Sequence, residues 1–303
     1  MSQLQGMVSS LERFATHDGP GIRTTVYMKG CPLKCVWCSS PHTQNRAPEI
    51  LFNDIRCHAV GKCATACPED AIQISEDQLF IDRKLCNACG ECVDACTNRA
   101  MEISGQSMSV AELFREVEKD SAFYRRSNGG VTVGGGELTM QSEFVSAFLK
   151  ECRDNYIHTA IETCGFSKWP LLESVLQYVD LMYIDIKHMD DERHRELTGV
   201  PNQLILENTR KASEMCALII RIPVVPGCND SDENIRATSR FAAELGAGFQ
   251  HIELLPYHQL GIHRYAQLGK PYILEELESP DDDHMQRLQD LVKSEGITAE
   301  IVA

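Results

Sequence analysis

The chain's 303 residues are enough to bury a full core, either as one large α/β domain or as one domain with a small insert. A net charge of −15 argues against nucleic acid, whose phosphates call for concentrated Lys and Arg, and favours protein or small-molecule partners. No stretch approaches the roughly 20 apolar residues of a membrane helix, and residues 1–11 lack a signal-peptide pattern, so a soluble, cytoplasmic protein is expected.

In chain order, residues 24–28 read as a strand that leads into Cys31, Cys35 and Cys38. Residues 49–104 break the rhythm of the chain: they hold seven cysteines, fall into two similar halves and contain no long helix. They read as an inserted module, with residues 1–48 and 105–303 as the main domain. Beyond the insert, Ser109 and Glu112 make a capping box before the helical face of Val110, Leu113, Phe114 and Val117. A short strand at 131–133 ends in Gly134, Gly135 and Gly136, and a helix follows near 142–152. Strands at 158–162, 181–186, 218–222 and 251–255 then alternate with helices near 170–178, 202–215 and from Ser231 to Gly246. A last strand is expected at 297–302, and Asp281, Asp282 and Asp283 read as a solvated helix start.

Repeated strand–helix units imply a parallel sheet with right-handed crossovers. The pattern alone does not separate a doubly wound sheet from a partial barrel. Either one collects chemistry at the strand C-termini, where Gly135 to Glu137, Glu162, Thr163, Asp185, Lys187, Arg221 and His258 fall.

Ten of the fourteen cysteines lie between Cys31 and Cys96 in three short-spaced runs. A reducing cytosol disfavours disulfides, so clustered thiols point to metal. Cys31, Cys35 and Cys38 sit on one loop, and three thiolates leave one iron of a cubane cluster open for chemistry. A zinc loop with a distant fourth ligand is the alternative. In the insert, Cys57, Cys63 and Cys67 precede Cys86, Cys89, Cys92 and Cys96, and the second run has the spacing of a two-cluster ferredoxin. Exchange of the last cysteine between halves gives one site of Cys67, Cys86, Cys89 and Cys92, and another of Cys57, Cys63 and Cys96. Val60 stands where the second site's fourth cysteine is expected. Two structural zinc sites are the alternative here. The remaining thiols, Cys152, Cys164, Cys216 and Cys228, read as ordinary, with Cys164 nearest the suspected site.

The cysteine loop, with Trp37 before its last cysteine, resembles the radical S-adenosylmethionine (SAM) superfamily. The stretches from Asp18 to Thr24, from Tyr124 to Gly130 and from Leu254 to His258 resemble activating enzymes of glycyl radical enzymes. The insert resembles the subgroup serving glycerol dehydratase, benzylsuccinate synthase, hydroxyphenylacetate decarboxylase and choline lyase types. The resemblance implies a 4Fe–4S cluster on Cys31, Cys35 and Cys38 whose open iron chelates SAM. It implies that Gly135, Gly136 and Glu137 hold the methionine amine. Asp185, Lys187, Arg221 and His258 would line the cofactor, and Trp37 would pack on adenine or the cluster. Glu162 and Thr163, with Asp185, would form a monovalent-cation site. Gly134 departs from the family's usual Ser, and Glu162 stands where some members have Asp.

The fold adopted on these grounds is α/β: a partial (β/α)6 TIM-like barrel with a ferredoxin-like insert. The implied function is reductive SAM cleavage followed by hydrogen abstraction from a glycine Cα of a partner glycyl radical enzyme. Electrons would come from an external donor such as flavodoxin or ferredoxin. A small-molecule radical SAM enzyme and a multi-cluster electron carrier are the rival readings.

Overall fold

The first strand, β1 (Gln5–Ala15), turns back through a tight loop into β2 (Arg23–Met28), its antiparallel neighbour. These assignments come from a computed structural model that describes residues 4–76 and 78–302. Four short strands follow: β3 (Glu49–Phe52), β4 (Ile72–Ser75), β5 (Gln78–Ile81) and β6 (Met101–Ser104). They pair as two antiparallel ribbons, β3 with β6 and β4 with β5. Next, β7 (Gln106–Ser109) rejoins the main sheet on the far side of β1.

The remaining strands are β8 (Gly130–Gly135), β9 (His158–Thr163), β10 (Leu181–Asp185), β11 (Ala217–Val224), β12 (Phe249–Pro256) and β13 (Ala299–Ile301). From β2 through β8 to β13 the strands are parallel and adjacent in chain order. A doubly wound sheet reverses direction at a switch point, and this order never reverses. The two edges, β13 and β7, lie at opposite ends of the sheet, which stays open. The architecture is a partial barrel of six full parallel strands and a three-residue seventh.

The composition of these strands explains their place. Val131, Val133, Ile161, Ile184, Ile220 and Ile222 are fully buried, as expected where helices cover one face and the barrel bore the other. The outer helices bury matching faces; that of Ser142–Asp154 contributes Phe144, Phe148, Leu149 and Cys152. Local signals set the helix starts. Ser109 forms the expected capping box, and Ser231 and Asp281 each accept a backbone N–H of the first turn.

Residues 49–104 have a small apolar cluster of their own, with Ile50, Ile72, Leu79 and Met101 packed around Cys63 and Cys92. Polar contacts fix this region to the barrel. Lys29, fully buried, donates from Nζ to Glu49 (3.2 Å) and to the carbonyls of His42 (2.8 Å) and Ser104 (3.2 Å). Arg83 donates to the carbonyls of Ile50 and, at 2.9 Å, Gln267.

Candidate functional site

Where β2 ends, the chain enters the cysteine loop, and neighbouring elements hold that loop by its backbone. Gly30 and Cys31 donate to the carbonyls of Thr43 (2.7 Å) and Gln44 (2.9 Å). Lys34 and Val36 donate to those of Thr198 (2.8 Å) and Leu197 (3.0 Å), at the end of the helix after β10. The loop therefore spans the barrel mouth. Cys31, Cys35 and Cys38 face a cleft of about 440 Å³, a volume suited to a small cofactor. Burial pushes the Cys35 thiol up to about 12 and raises Cys38 as well. Deprotonation of such a set is coupled to metal binding.

The glycines after β8 are required by space. Gly135 lies opposite Met28 in the register and has a φ of +103°; a Cβ there would come within 2.6 Å of the Met28 nitrogen. A Cβ on Gly136 would come within 2.2 Å of the Gly30 carbonyl oxygen. Both glycines line the cleft.

Glu137 follows the two glycines. Its carboxylate is fully buried and does not border the cleft. One oxygen accepts from the Thr139 N–H (3.1 Å) and hydroxyl (2.6 Å). The other accepts from the Thr163 hydroxyl (2.7 Å), the Cys164 N–H (2.9 Å) and the Cys164 thiol (3.0 Å). Five donors thus engage the Glu137 carboxylate. It ties the end of β8 to the end of β9, leaving the Gly135–Gly136 backbone to meet a ligand. Cys164 adjoins Cys31, and the hydrogen bond to Cys31, burial and Glu137 push it well above the ordinary thiol range.

Glu162 and Thr163, with Asp185, are the residues expected at a monovalent-cation site, and each has a protein partner. Glu162 pairs with Arg221 at 2.5 Å, Thr163 donates to Glu137, and Asp185 pairs with Lys187 at 2.8 Å. Arg221 is the cation paired with Glu162. Its guanidinium also meets Glu253 (2.7 Å) and the His17 carbonyl (2.8 Å) and lies over the Tyr183 ring at 3.7 Å. Burial pushes the Glu162 carboxyl up to about 7, against the pull of Arg221. The departure at Gly134 has a spatial counterpart: a Cβ there would lie 2.9 Å from the Glu162 carboxylate and 3.2 Å from its Cβ, so a side chain would have to displace the longer acid.

Asp185, Lys187, Arg221, Trp37 and His258 all line the cleft. Trp37 is buried against Leu197, Val225 and Tyr257, whereas His258 is exposed on the rim. Burial acts to lower the Lys187 pKa, but Asp185 and Cys35 outweigh it and raise the value. Sequence reasoning passed over Tyr27, Tyr257 and Glu253. Alternation along β12 carried a signal for Glu253, which stands opposite Arg221 in the register.

In the insert, Cys67, Cys86, Cys89 and Cys92 line one void, and Cys57, Cys63 and Cys96 line another. The Cys57, Cys67 and Cys96 sulfurs accept backbone N–H bonds from Ala59 (3.4 Å), Ala71 (3.3 Å) and Ala100 (3.2 Å). Such donors stabilise thiolate ligands of a cluster.

Residues 87–238 match the Radical SAM superfamily, and residues 49–97 match the 4Fe-4S dicluster domain. Together with the partial barrel, these matches define an iron–sulfur radical enzyme. The isethionate sulfite-lyase activating enzyme of Oleidesulfovibrio alaskensis is 43% identical over 301 residues, which is 97% of this chain and 96% of that protein. The trans-4-hydroxy-L-proline dehydratase activating enzyme of Clostridioides difficile is 40% identical over 297 residues, 97% of this chain and 98% of that protein. A solved domain of pyruvate-formate lyase-activating enzyme from Bacteroides vulgatus superposes with a TM-score of 0.50 at 31% identity, covering 58% of this chain and 99% of that one. The chain belongs to the radical SAM superfamily, in its group of glycyl radical enzyme activating enzymes.

Proposed function

We propose that SAM is cleaved reductively in the barrel cleft, on a 4Fe–4S cluster held by Cys31, Cys35 and Cys38, to activate a glycyl radical enzyme. The observation that carries this reading is the pairing of three thiols on one loop with a cleft of about 440 Å³ at the mouth of an open barrel. When bound, the cluster supplies one electron to the sulfonium, releasing methionine and the 5′-deoxyadenosyl radical that takes a hydrogen atom from a glycine Cα.

The chain's residues position and shield. The Gly135–Gly136 backbone permits close approach, Lys187 and Arg221 bring positive charge to a carboxylate, and Trp37 and Tyr257 offer apolar walls. Hydrogen-atom abstraction itself requires no acid or base. The open edge of the barrel gives a polypeptide loop a lateral route to the cleft. Residues 49–104 act as a two-cluster module that accepts electrons from a cytoplasmic carrier of the flavodoxin or ferredoxin type.

Replacing Cys31, Cys35 and Cys38 together by Ala tests this reading. The expected result is loss of 5′-deoxyadenosine formation, with insert clusters still visible by EPR. Continued SAM cleavage by that variant overturns the assignment.

A further inference from the structure

The two halves of the insert repeat one backbone path. Gly61 and Gly90 both adopt left-handed φ values, 86° and 91°, at the start of a short helix. Ala59 and Ala88 match at 49° and 55°, and Asp70 and Arg99 match at 50° and 52°. The Cys67 sulfur accepts from Ala71 as the Cys96 sulfur accepts from Ala100. In this repeat Cys57 corresponds to Cys86, Cys63 to Cys92 and Cys67 to Cys96. Val60 therefore corresponds to Cys89, and His58 to Asn87.

The half that lacks the thiol thus carries an imidazole two residues earlier, on the same loop. His58 lines the void together with Cys57, Cys63 and Cys96. The other polar side chains around that void are poorer donors to iron. Lys62 is an ammonium with no lone pair, and Thr97 and Asn98 offer only neutral oxygens. No distant thiol substitutes, because Cys152, Cys164, Cys216 and Cys228 do not border the void. In the other half, Asn87, exposed like His58, accepts the Cys89 N–H at 3.0 Å, so a side chain at this position reaches back over its own cysteine loop.

We propose that His58 is the fourth ligand of the second insert cluster, completing a site of three thiolates and one imidazole. This rests on the reading that the void of Cys57, Cys63 and Cys96 holds a cluster. Imidazole in place of thiolate removes negative charge and raises a cluster's reduction potential. The His58 site then holds electrons more tightly than the four-thiolate site, which becomes the direct low-potential donor to the barrel.

The test uses the complete, reconstituted chain with ¹⁵N-histidine, reduced anaerobically without SAM, so that no cofactor nitrogen reaches a cluster. Pulsed EPR is expected to show the hyperfine coupling of a directly bound histidine nitrogen. His58→Ala should lose that coupling and show a three-iron signal after oxidation, and His58→Cys should lower the midpoint potential while keeping four irons at the site. Coupling that survives in His58→Ala, or an unsubstituted chain with a three-iron signal and no nitrogen coupling, overturns the proposal. Cys63→Ala separates the two levels. If it leaves iron per chain unchanged, the void holds no cluster and both readings fall. If iron drops while the unsubstituted chain shows no nitrogen coupling, the cluster stands and only His58 is wrong.

Discussion

The barrel loop and the insert both gather thiols, but they surround them differently. Cys31, Cys35 and Cys38 open onto a cleft that also presents Asp185, Lys187, Glu162 and Arg221, paired charges at the end of a rigid sheet. The insert thiols line two smaller voids, one walled mainly by Ile50, Ile72 and Ile81, the other by Leu79 and alanines together with His58, Lys62, Thr97 and Asn98. A cluster with an open iron and charged neighbours can bind and transform a ligand, whereas one ligated by protein at every iron stores and passes electrons. The number of thiols in each run and the charges around the barrel loop both favour this division.

The sharpest way to break the comparison is to exchange the losses. Replacing Cys86, Cys89 and Cys92 by Ala should leave SAM cleavage within a few-fold when a strong small-molecule reductant is used, yet abolish it with a protein carrier. The matching change at Cys31, Cys35 and Cys38 abolishes it with either. Cys164→Ala should behave like neither, retaining cleavage and its full iron content; loss of an iron would make Cys164 a ligand and the barrel cluster a closed one.

Next in size is the buried charge cluster. Arg221→Met leaves Glu162 and Glu253 without their cation, which should cost about 3–5 kcal/mol in denaturant unfolding. An unchanged unfolding midpoint would show that the barrel does not depend on Arg221. A monovalent-cation site at Glu162, Thr163 and Asp185 predicts that SAM binding responds to sodium or potassium at constant ionic strength; indifference to both would exclude the site.

A smaller effect concerns Gly134. Gly134→Ser should destabilise the barrel by about 1–3 kcal/mol through overpacking against Glu162. Adding Glu162→Asp should recover part of the loss, giving a coupling of order 1 kcal/mol in a double-mutant cycle. Additive effects would mean that the two departures from the family pattern are unrelated.

The smallest prediction is a pH effect. Burial, with Arg264 and Lys29 nearby, lowers the His42 pKa to about 4 from an ordinary value near 6.5. The unfolded chain therefore binds a proton that the folded chain refuses, and stability falls as pH drops from about 6.5 to 4. His42→Gln should remove of order 1–3 kcal/mol of that acid sensitivity relative to the unsubstituted protein. Identical pH slopes would exclude His42 as a source.

Much of this was legible in the sequence. The Val- and Ile-rich parallel strands were visible because burial on both faces writes a continuous apolar run, and Ser109 and Ser231 marked helix starts through their side chains. The long β1 was missed because its residues alternate between partial burial and exposure, and its partner β7 lies beyond the insert. The four-residue ribbons of the insert are too short to leave a periodic trace. At the site, residue types pointed to the correct corner of the fold but not to their partners. Spacing does not reveal that Thr139, Thr163 and Cys164 engage Glu137, and the claim of Arg221 on Glu162 depends on a register between β9, β10 and β11 that is equally hidden.

The central claim is that the cleft delivers a radical to a glycine of a separate protein. It is tested most directly by mixing reduced enzyme, SAM and a candidate glycyl radical enzyme anaerobically and recording EPR. The account predicts an organic radical on the partner, with splitting that collapses when the partner carries α-deuterated glycine. It also predicts 5′-deoxyadenosine in proportion to radical. A radical or product formed equally well from a free metabolite with no partner protein present would contradict it.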